Sequence, residues 1–270
     1  WSPGNSGGAS AGGPLTLREA LARSSNLVSV RVLQHTGTQR ARDWLGRFGL
    51  DVAKQPDNLT LALGTGQVTP LQMARANATF ANGGWLVTPV VGEKITDAQG
   101  KLLFEAPPAA PLTEDSRAIP ERNAYVMTSL LGDVTRVGTG ARAQAQLKRP
   151  DVYGKTGTTD NVVDAWFTGY HPTLATAVWM GYDKPRSLGD RESGARLALP
   201  IWTDYMAAAL KSVPVAQPPA PPAGLSRVSD DWLYSEWLEG GWVSSISDTS
   251  GSQLAGPPTL LDALKEIFKP

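Results

Sequence analysis

The chain of 270 residues contains no cysteine and only two histidines. The lack of cysteine excludes disulfides, thiolate metal sites and a cysteine nucleophile within this sequence. Basic and acidic residues both number 25, so the formal net charge is zero, and no basic cluster suggests a nucleic-acid partner. No apolar run approaches the roughly 20 residues that a membrane span requires, and the N-terminus lacks a signal-peptide pattern. The length suffices for one large domain or two small ones with a buried core.

The most unusual stretch spans residues 153–159 and reads Tyr-Gly-Lys-Thr-Gly-Thr-Thr. Interior glycines weaken a strand and often mark the close approach of a ligand or of another backbone. In an extended strand, Lys155 and Gly157 would share one face, and Thr156 and Thr158 the other. An ammonium group beside hydroxyls and free amides suits an anionic ligand lying along a strand edge. A glycine- and threonine-rich turn is the alternative, since a Lys-Thr-Gly tripeptide also occurs by chance.

The residues that follow predict two more strands. Residues 160–161 (Asp-Asn) are a turn signal, residues 165–170 are rich in aromatic strand formers, and residues 174–182 alternate bulky and small side chains. Residues 171–172 (His-Pro) separate the last two runs. We therefore expect a three-stranded antiparallel meander whose first strand carries Lys155.

Helix start signals predict five helices around this meander. They would begin at or just after Thr16, Thr38, Thr69, Pro120 and Pro200. Residues 27–33 fit either a strand or a buried helix. Residues 85–105 predict a surface hairpin. The Gly-Thr-Gly at residues 64–66 is interpreted as a turn, because it lacks the Gly-Lys-Ser/Thr ending of a phosphate-binding loop.

Proline-rich residues 213–223 predict an extended, semi-rigid linker. This linker would divide the chain into a main domain of residues 1–212 and a C-terminal extension of residues 224–270. The linker is expected to make few packing contacts. Tryptophan and leucine residues in the extension suggest that it docks on the domain or on a partner.

A second polar interruption, the Ser-Ser-Asn of residues 24–26, lies between helical segments. Ser-x-Asn followed by Lys-Thr-Gly resembles the second and third motifs of penicillin-binding proteins and active-site serine β-lactamases. The resemblance implies an α/β fold of the α+β type, with an antiparallel sheet between helical layers, incomplete at its N-terminal side. It covers roughly residues 1–212. Longer stretches are similar to class A penicillin-binding proteins, the bifunctional peptidoglycan synthases, at residues 17–30, 64–84, 154–183 and 198–202.

One departure from the family pattern concerns its nucleophile, the serine of a Ser-x-x-Lys motif upstream of Ser-x-Asn. No lysine in this chain has a serine three positions before it. The resemblance therefore implies that an upstream part of the same protein carries the nucleophile, the glycosyltransferase half and a membrane anchor. It places the domain on the periplasmic face of the cytoplasmic membrane of a Gram-negative cell, with membrane contact only through that anchor. The chain alone is expected to be inactive.

The family resemblance implies catalytic roles for Ser24, Asn26 and Lys155. Ser24 would shuttle a proton towards the leaving amine, and Asn26 would hydrogen-bond the bound acyl chain and help fix the lysine of the missing motif. Lys155 would supply positive charge and help to set the protonation of Ser24. Ordinary helix capping is the alternative for Ser24 and Asn26.

The resemblance implies substrate binding by the next three residues of the strand. Thr156 and Thr158 would bind a terminal carboxylate, the backbone amide of Thr158 would form half of an oxyanion hole, and Gly157 would keep the strand edge uncovered. His35 and His171 are expected to be surface or turn residues, so no Ser-His-Asp triad is predicted.

The function implied by the resemblance is that of a peptidoglycan D,D-transpeptidase, a serine-type D-Ala-D-Ala transpeptidase/carboxypeptidase of cell-wall synthesis. It would cross-link stem peptides ending in D-Ala-D-Ala through a serine acyl-enzyme, and β-lactams would bind as mimics of that ending. No metal and no organic cofactor is implied. A β-lactamase, a β-lactam sensor and a non-catalytic binding module on the same scaffold are the alternatives, of which a β-lactamase would show fast deacylation.

Overall fold

The computed structural model describes residues 4–5 and 13–238. The helices in this part of the chain are α1 (Leu17–Ala22), α2 (Asn26–Thr36), α3 (Thr38–Arg47), α4 (Pro70–Ala81), α5 (Glu121–Arg136), α6 (Arg142–Leu147), α7 (Ala198–Ala209) and α8 (Ser235–Leu238). The strands are β1 (Lys94–Thr96), β2 (Leu102–Glu105), β3 (Tyr153–Thr158), β4 (Ala165–His171), β5 (Leu174–Met180), β6 (Leu225–Val228) and β7 (Asp231–Tyr234). None of these helices is long and apolar enough to cross a membrane.

The central element is the three-stranded antiparallel sheet β3-β4-β5, in which β3 lies at an edge. The predicted meander is confirmed, with Lys155 of β3 opposite Thr168 of β4. Because side chains alternate between the faces of a strand, Phe167 and Tyr170 of β4 point to opposite layers. Phe167 packs edge-on against Trp202 of α7, with ring centroids 4.9 Å apart. Tyr170 packs with Val134 of α5 in the other layer, where α4 also covers the sheet.

Most predicted helices begin where their capping signals place them. Thr16 and Thr69 each close a capping box, and Pro120 is the N-cap of α5. The ambiguous residues 27–33 form part of α2. The helix α3 begins at Thr38, but its N-cap is the preceding glycine, and the Thr38 hydroxyl donates to Asp57 instead.

The remaining differences concern the bounds of elements. The helix α7 begins two residues before the predicted proline start. The helix α6, which follows the glycine-rich break after α5, was not predicted. The surface hairpin is confirmed as β1 and β2, although its strands occupy only the second half of residues 85–105.

The expectation for His171 is wrong. This side chain is only 1% exposed and is the last residue of β4. Its Nε2 lies 3.1 Å from Oδ2 of Asp151, whose two carboxylate oxygens also accept from Arg149 at 2.9 and 2.7 Å. His35, by contrast, is exposed in the last turn of α2, as predicted.

The expectation of few packing contacts is also wrong for the first residues of the linker. Arg149 donates to the carbonyl oxygens of Val213 and Pro214 at 2.7 and 2.9 Å. Oδ2 of Asp151 accepts from the amide of Ala216 at 2.6 Å. Buried charges therefore hold the chain where it leaves α7.

The described part of the extension docks on the main domain, which is one of the two predicted possibilities; the other was docking on a partner. Arg18 of α1 pairs with Asp231 of β7 at 2.6 Å, and Arg122 of α5 pairs with Glu236 of α8 at 2.7 Å. The rest of the extension, residues 239–270, lies outside the described residues. The division of the chain into three parts remains a prediction.

Candidate active site

Ser24 lies in the turn between α1 and α2 and has a φ of 55°. Few residues other than glycine adopt this left-handed conformation, and those that do often lie at functional sites. The turn is held by backbone hydrogen bonds from Ser24 and Ser25 to the carbonyls of Leu21 and Ala20 at 3.0 and 2.8 Å. Ser25, and not Ser24, is the N-cap of α2. Ordinary helix capping therefore does not explain Ser24.

The hydroxyl of Ser24 meets the side chain of Lys155 across the gap between the helices and the sheet edge. Nζ of Lys155 donates to Oγ of Ser24 at 2.7 Å and to the carbonyl oxygen of Thr156 at 3.1 Å. An ammonium group has three N–H bonds and can only donate. Among the described residues, two of the three N–H bonds of Lys155 therefore have an acceptor.

Burial lowers the pKa of Lys155 to about 8. Within residues 4–5 and 13–238, no carboxylate offsets this loss of hydration by pairing with the ammonium. A largely buried cation without a counter-ion is costly, and such groups are common where an anion is to be bound. At neutral pH Lys155 still carries its proton, so the site is positively charged.

Thr156 and Thr158 are each held by a different loop beside β3. Oγ1 of Thr156 lies 2.8 Å from Oγ1 of Thr139, in the loop between α5 and α6. Oγ1 of Thr158 accepts from the backbone N–H of Gly194 at 3.0 Å. Because the amide can only donate, the hydroxyl proton of Thr158 is free to be donated to another group.

Gly194 permits a close approach between the loop before α7 and β3 at Gly157. A Cβ atom built on Gly194 would collide with the carbonyl oxygens of Gly157 and Trp166. The loop backbone thus rests directly on the strand and can reach Thr158. The proposed role of Gly157, to leave the strand edge uncovered for a ligand, stays a prediction.

Asn26 is the first residue of α2, and its side-chain amide donates to the carbonyl oxygen of Gly4 at 2.9 Å. Oδ1 of the neighbouring Asn5 accepts from the Ser25 hydroxyl at 3.2 Å. The structure thus joins Ser24 directly to Lys155, whereas the side chain of Asn26 contacts the segment that precedes α1. The role of Asn26 towards an acyl chain stays a prediction.

Two residues that contact the site were not predicted, Thr139 and Gly194. Thr139 stands between two glycines, a pattern similar to the one that marked Lys155. Glycines at such positions also end helices, so this pattern alone does not single out Thr139. Gly194 carries no comparable signal, since its role depends on a contact with a strand 36 residues earlier.

Comparisons with known proteins show the family to which the chain is similar. Residues 4–206 match the family model of the penicillin-binding protein transpeptidase domain. The chain is 45% identical over 214 residues to penicillin-binding protein 1A of Neisseria lactamica. The aligned residues make up 79% of this chain and 27% of that protein. The chain therefore spans about a quarter of the length of such curated relatives.

Solved structures show the same fold. Penicillin-binding protein 1A from Haemophilus influenzae aligns with a TM-score of 0.76 and 34% identity, over 84% of this chain and 38% of that chain. The PonA1 protein from Mycobacterium tuberculosis in complex with penicillin V aligns with a TM-score of 0.65 and 26% identity, over 94% of this chain and 65% of that chain. The expected antiparallel sheet between helical layers is thereby confirmed.

Proposed function

This chain belongs to the penicillin-binding protein transpeptidase family, a class of serine acyltransferases, and we propose that it supplies two walls of the active site of a peptidoglycan D,D-transpeptidase. One wall is the turn that carries Ser24, and the other is β3 with Lys155. The observation that supports this most strongly is the 2.7 Å hydrogen bond between these two residues. The nucleophilic serine is supplied by residues of the same protein outside this chain.

The Ser24–Lys155 contact suits proton transfer during acylation. Lys155 donates to Oγ of Ser24, so the serine's own proton points away from the lysine and is available to the leaving amine. When the nucleophilic serine attacks the carbonyl between two D-alanines, the C–N bond breaks and the amine of the terminal D-alanine takes up that proton. The proton that the nucleophilic serine loses on attack then passes to Ser24 and restores its hydroxyl.

The charge on Lys155 and the hydroxyls of Thr156 and Thr158 suit the terminal carboxylate of the stem peptide. Thr158 accepts from Gly194 and is left with a proton to donate to an anion. The amide of Thr158 would stabilise the oxyanion of the tetrahedral intermediate, a contribution for which loss of one donor typically reduces kcat about 10²- to 10³-fold. β-Lactams, which carry a carboxylate next to a reactive amide, fit the same positions.

The acyl group would pass to an amine of a second stem peptide, or to water in a carboxypeptidase side reaction, on the periplasmic side of the cytoplasmic membrane. A segment outside this chain would anchor the protein. No observation on the described residues favours a β-lactamase, a β-lactam sensor or a non-catalytic module.

The test is to label the full-length protein with a fluorescent penicillin and to identify the modified residue by peptide mapping. We expect one stable adduct on the serine of a Ser-x-x-Lys motif outside these 270 residues, with deacylation slow compared with acylation. The isolated chain should not be labelled, because an unactivated hydroxyl is a weak nucleophile at neutral pH. Stoichiometric labelling of the isolated chain at Ser24 would contradict both the assignment of the nucleophile and the role of Ser24.

A further inference from the structure

The loop between α5 and α6 links the two walls of the site through a single residue. The backbone N–H of Thr139 donates to the carbonyl oxygen of Ala22 at 3.0 Å, two residues before Ser24. The hydroxyl of Thr139 lies 2.8 Å from the hydroxyl of Thr156, which follows Lys155 on β3. Thr139 therefore contacts the wall of Ser24 with its backbone and the wall of Lys155 with its side chain.

The glycines on either side of Thr139 allow this position. A Cβ atom on Gly138 would collide with the carbonyl oxygen of Ala22 and lie 2.9 Å from Cα of Val134. A Cβ atom on Gly140 would lie 3.2 Å from the ring of Phe167, closer than side chains normally pack. The backbone of the loop thus packs closely against α1, α5 and the sheet.

The hydrogen bonding of the two threonines leaves one proton to spare. Two hydroxyls that share one hydrogen bond use only one of their two protons, and in the free site either oxygen can be the donor. If Thr156 donates to an anion, its oxygen must accept from Thr139. An anion on Thr156 therefore selects the direction in which Thr139 donates to Thr156. That hydrogen bond in turn makes the Thr156 hydroxyl a stronger donor through cooperative polarisation.

We infer that Thr139 is a positioning residue for carboxylate recognition: it donates its hydroxyl proton to Thr156 while Thr156 donates to the carboxylate of the stem peptide or of a β-lactam. This inference rests on the proposed function of the site. Thr139 itself does not touch the carboxylate. It sets the direction of the Thr156 hydroxyl, as Gly194 does for Thr158.

The test compares a penicillin with its methyl ester, which keeps the reactive ring but lacks the negative charge. Second-order acylation rates are measured on the full-length protein, as wild type and as Thr139→Val, Thr139→Ser and Thr128→Val. Thr128 is the matched control, because its hydroxyl pairs at 2.7 Å with that of Tyr170 and not with a residue of the site. Thermal unfolding is recorded for each variant, and Thr139→Ala replaces Thr139→Val if valine prevents folding.

The expected result is selective for the acid. Thr139→Val should lower the rate with the acid about fivefold to tenfold, the effect of one hydrogen bond to a polarised group, and change the ester rate less than about twofold. Thr139→Ser should restore the wild-type ratio of acid to ester, and Thr128→Val should leave it unchanged. In a Thr156→Val background, Thr139→Val should have no further effect on the ratio.

Other outcomes separate the inference from the proposed function. If Thr139→Val lowered the acylation rates with acid and ester equally, or lowered neither, the role of Thr139 would be overturned. The proposed function would still stand in that case, provided that the wild type is acylated. Absence of acylation in the wild type would overturn the proposed function and the inference with it.

Discussion

Two polar clusters flank the same pair of strands, and they differ in how their charges are compensated. Beside the middle of β3, the cation of Lys155 has a serine hydroxyl and a carbonyl oxygen as partners. Near the start of β3 and the end of β4, Arg149 forms two hydrogen bonds with Asp151, which also accepts from the Ala216 amide. Among residues 4–5 and 13–238, no carboxylate pairs with the cation of the first cluster, whereas the charge of Arg149 in the second is matched by Asp151.

The pKa shifts follow this difference. Burial lowers the pKa of Lys155, with no carboxylate acting against it in the part of the chain that is described. Burial alone would raise the pKa of Asp151, but hydrogen bonds from Arg149 and from the Ala216 amide lower it overall. Burial likewise lowers the pKa of His171. We therefore expect the fold to be destabilised when one partner of the matched cluster is removed, and we propose that the unmatched charge binds a ligand.

The largest effect is expected from removing the unmatched charge. Lys155→Ala in the full-length protein should reduce penicillin acylation by about 10³-fold, because a cation that stabilises bound anion and transition state is lost. The melting temperature should not fall, since no ion pair is broken. The matched control is Lys211→Ala, an exposed lysine at the end of α7. If acylation by Lys155→Ala fell only in proportion to the amount of folded protein, Lys155 would act in stability and not in ligand binding.

The opposite pattern is expected for the matched cluster. Asp151→Asn should lower the free energy of unfolding by about 3–5 kcal/mol, because it leaves the guanidinium of Arg149 buried without its counter-charge. Denaturant unfolding measures this loss. Acylation by the protein that remains folded should change less than about twofold. A large change in acylation with normal stability would mean that this cluster belongs to the active site.

The pH dependence of acylation should report the unmatched lysine. With a pKa of about 8, the charged fraction of Lys155 falls about tenfold between pH 7 and pH 9, and acylation should fall with it. Lys155→Arg should abolish this decline, because arginine keeps its proton throughout. If the acylation rate of Lys155→Arg still declined between pH 7 and pH 9, the decline would come from the titration of another group.

Titration of Lys155 does not itself destabilise the folded protein over the pH range of this decline. The pKa of Lys155 is lower in the folded than in the unfolded protein, so between about pH 8 and pH 10.4 the unfolded state binds more protons. The contribution of Lys155 to stability therefore rises with pH across this window, while the expected acylation rate falls. Measuring both quantities on one sample separates them.

The smallest effect is expected from shortening the extension. Truncation after Pro222 retains the contacts of residues 213–216 with Arg149 and Asp151, so acylation should change less than about twofold. Truncation after Lys211 removes those contacts and should destabilise the domain. Comparable stability of the two truncated proteins would show that the anchoring of residues 213–216 contributes little.

The site could be predicted largely because its signals are local. Ser24 and Lys155 each stand in a short run of small and polar residues that no ordinary helix or strand requires, and the resemblance to a family joined them. The antiparallel meander was equally accessible, since its strands follow each other directly. The ambiguity of residues 27–33 was resolved by packing: Val30 and Leu33 lie on one buried side of a helix.

The matched cluster could not be predicted, because its partners are distant in sequence. His171 precedes a proline in a tight turn, which indicates a surface position when considered alone. Its burial depends on Arg149 and Asp151 and on a segment some 40 residues later that closes over them. Thr139 was missed for a similar reason, since its hydroxyl has meaning only beside Thr156.

The most direct test of the central claim is the structure of the full-length protein acylated by a penicillin. We expect the carboxylate of the bound drug within roughly 3 Å of the hydroxyls of Thr156 and Thr158, next to the ammonium of Lys155. Lys155 should still donate to Ser24, and it should have no carboxylate partner other than the drug. A carboxylate pointing into solvent, or an acidic side chain from outside this chain paired with Lys155, would contradict the claim that this charge is reserved for the ligand.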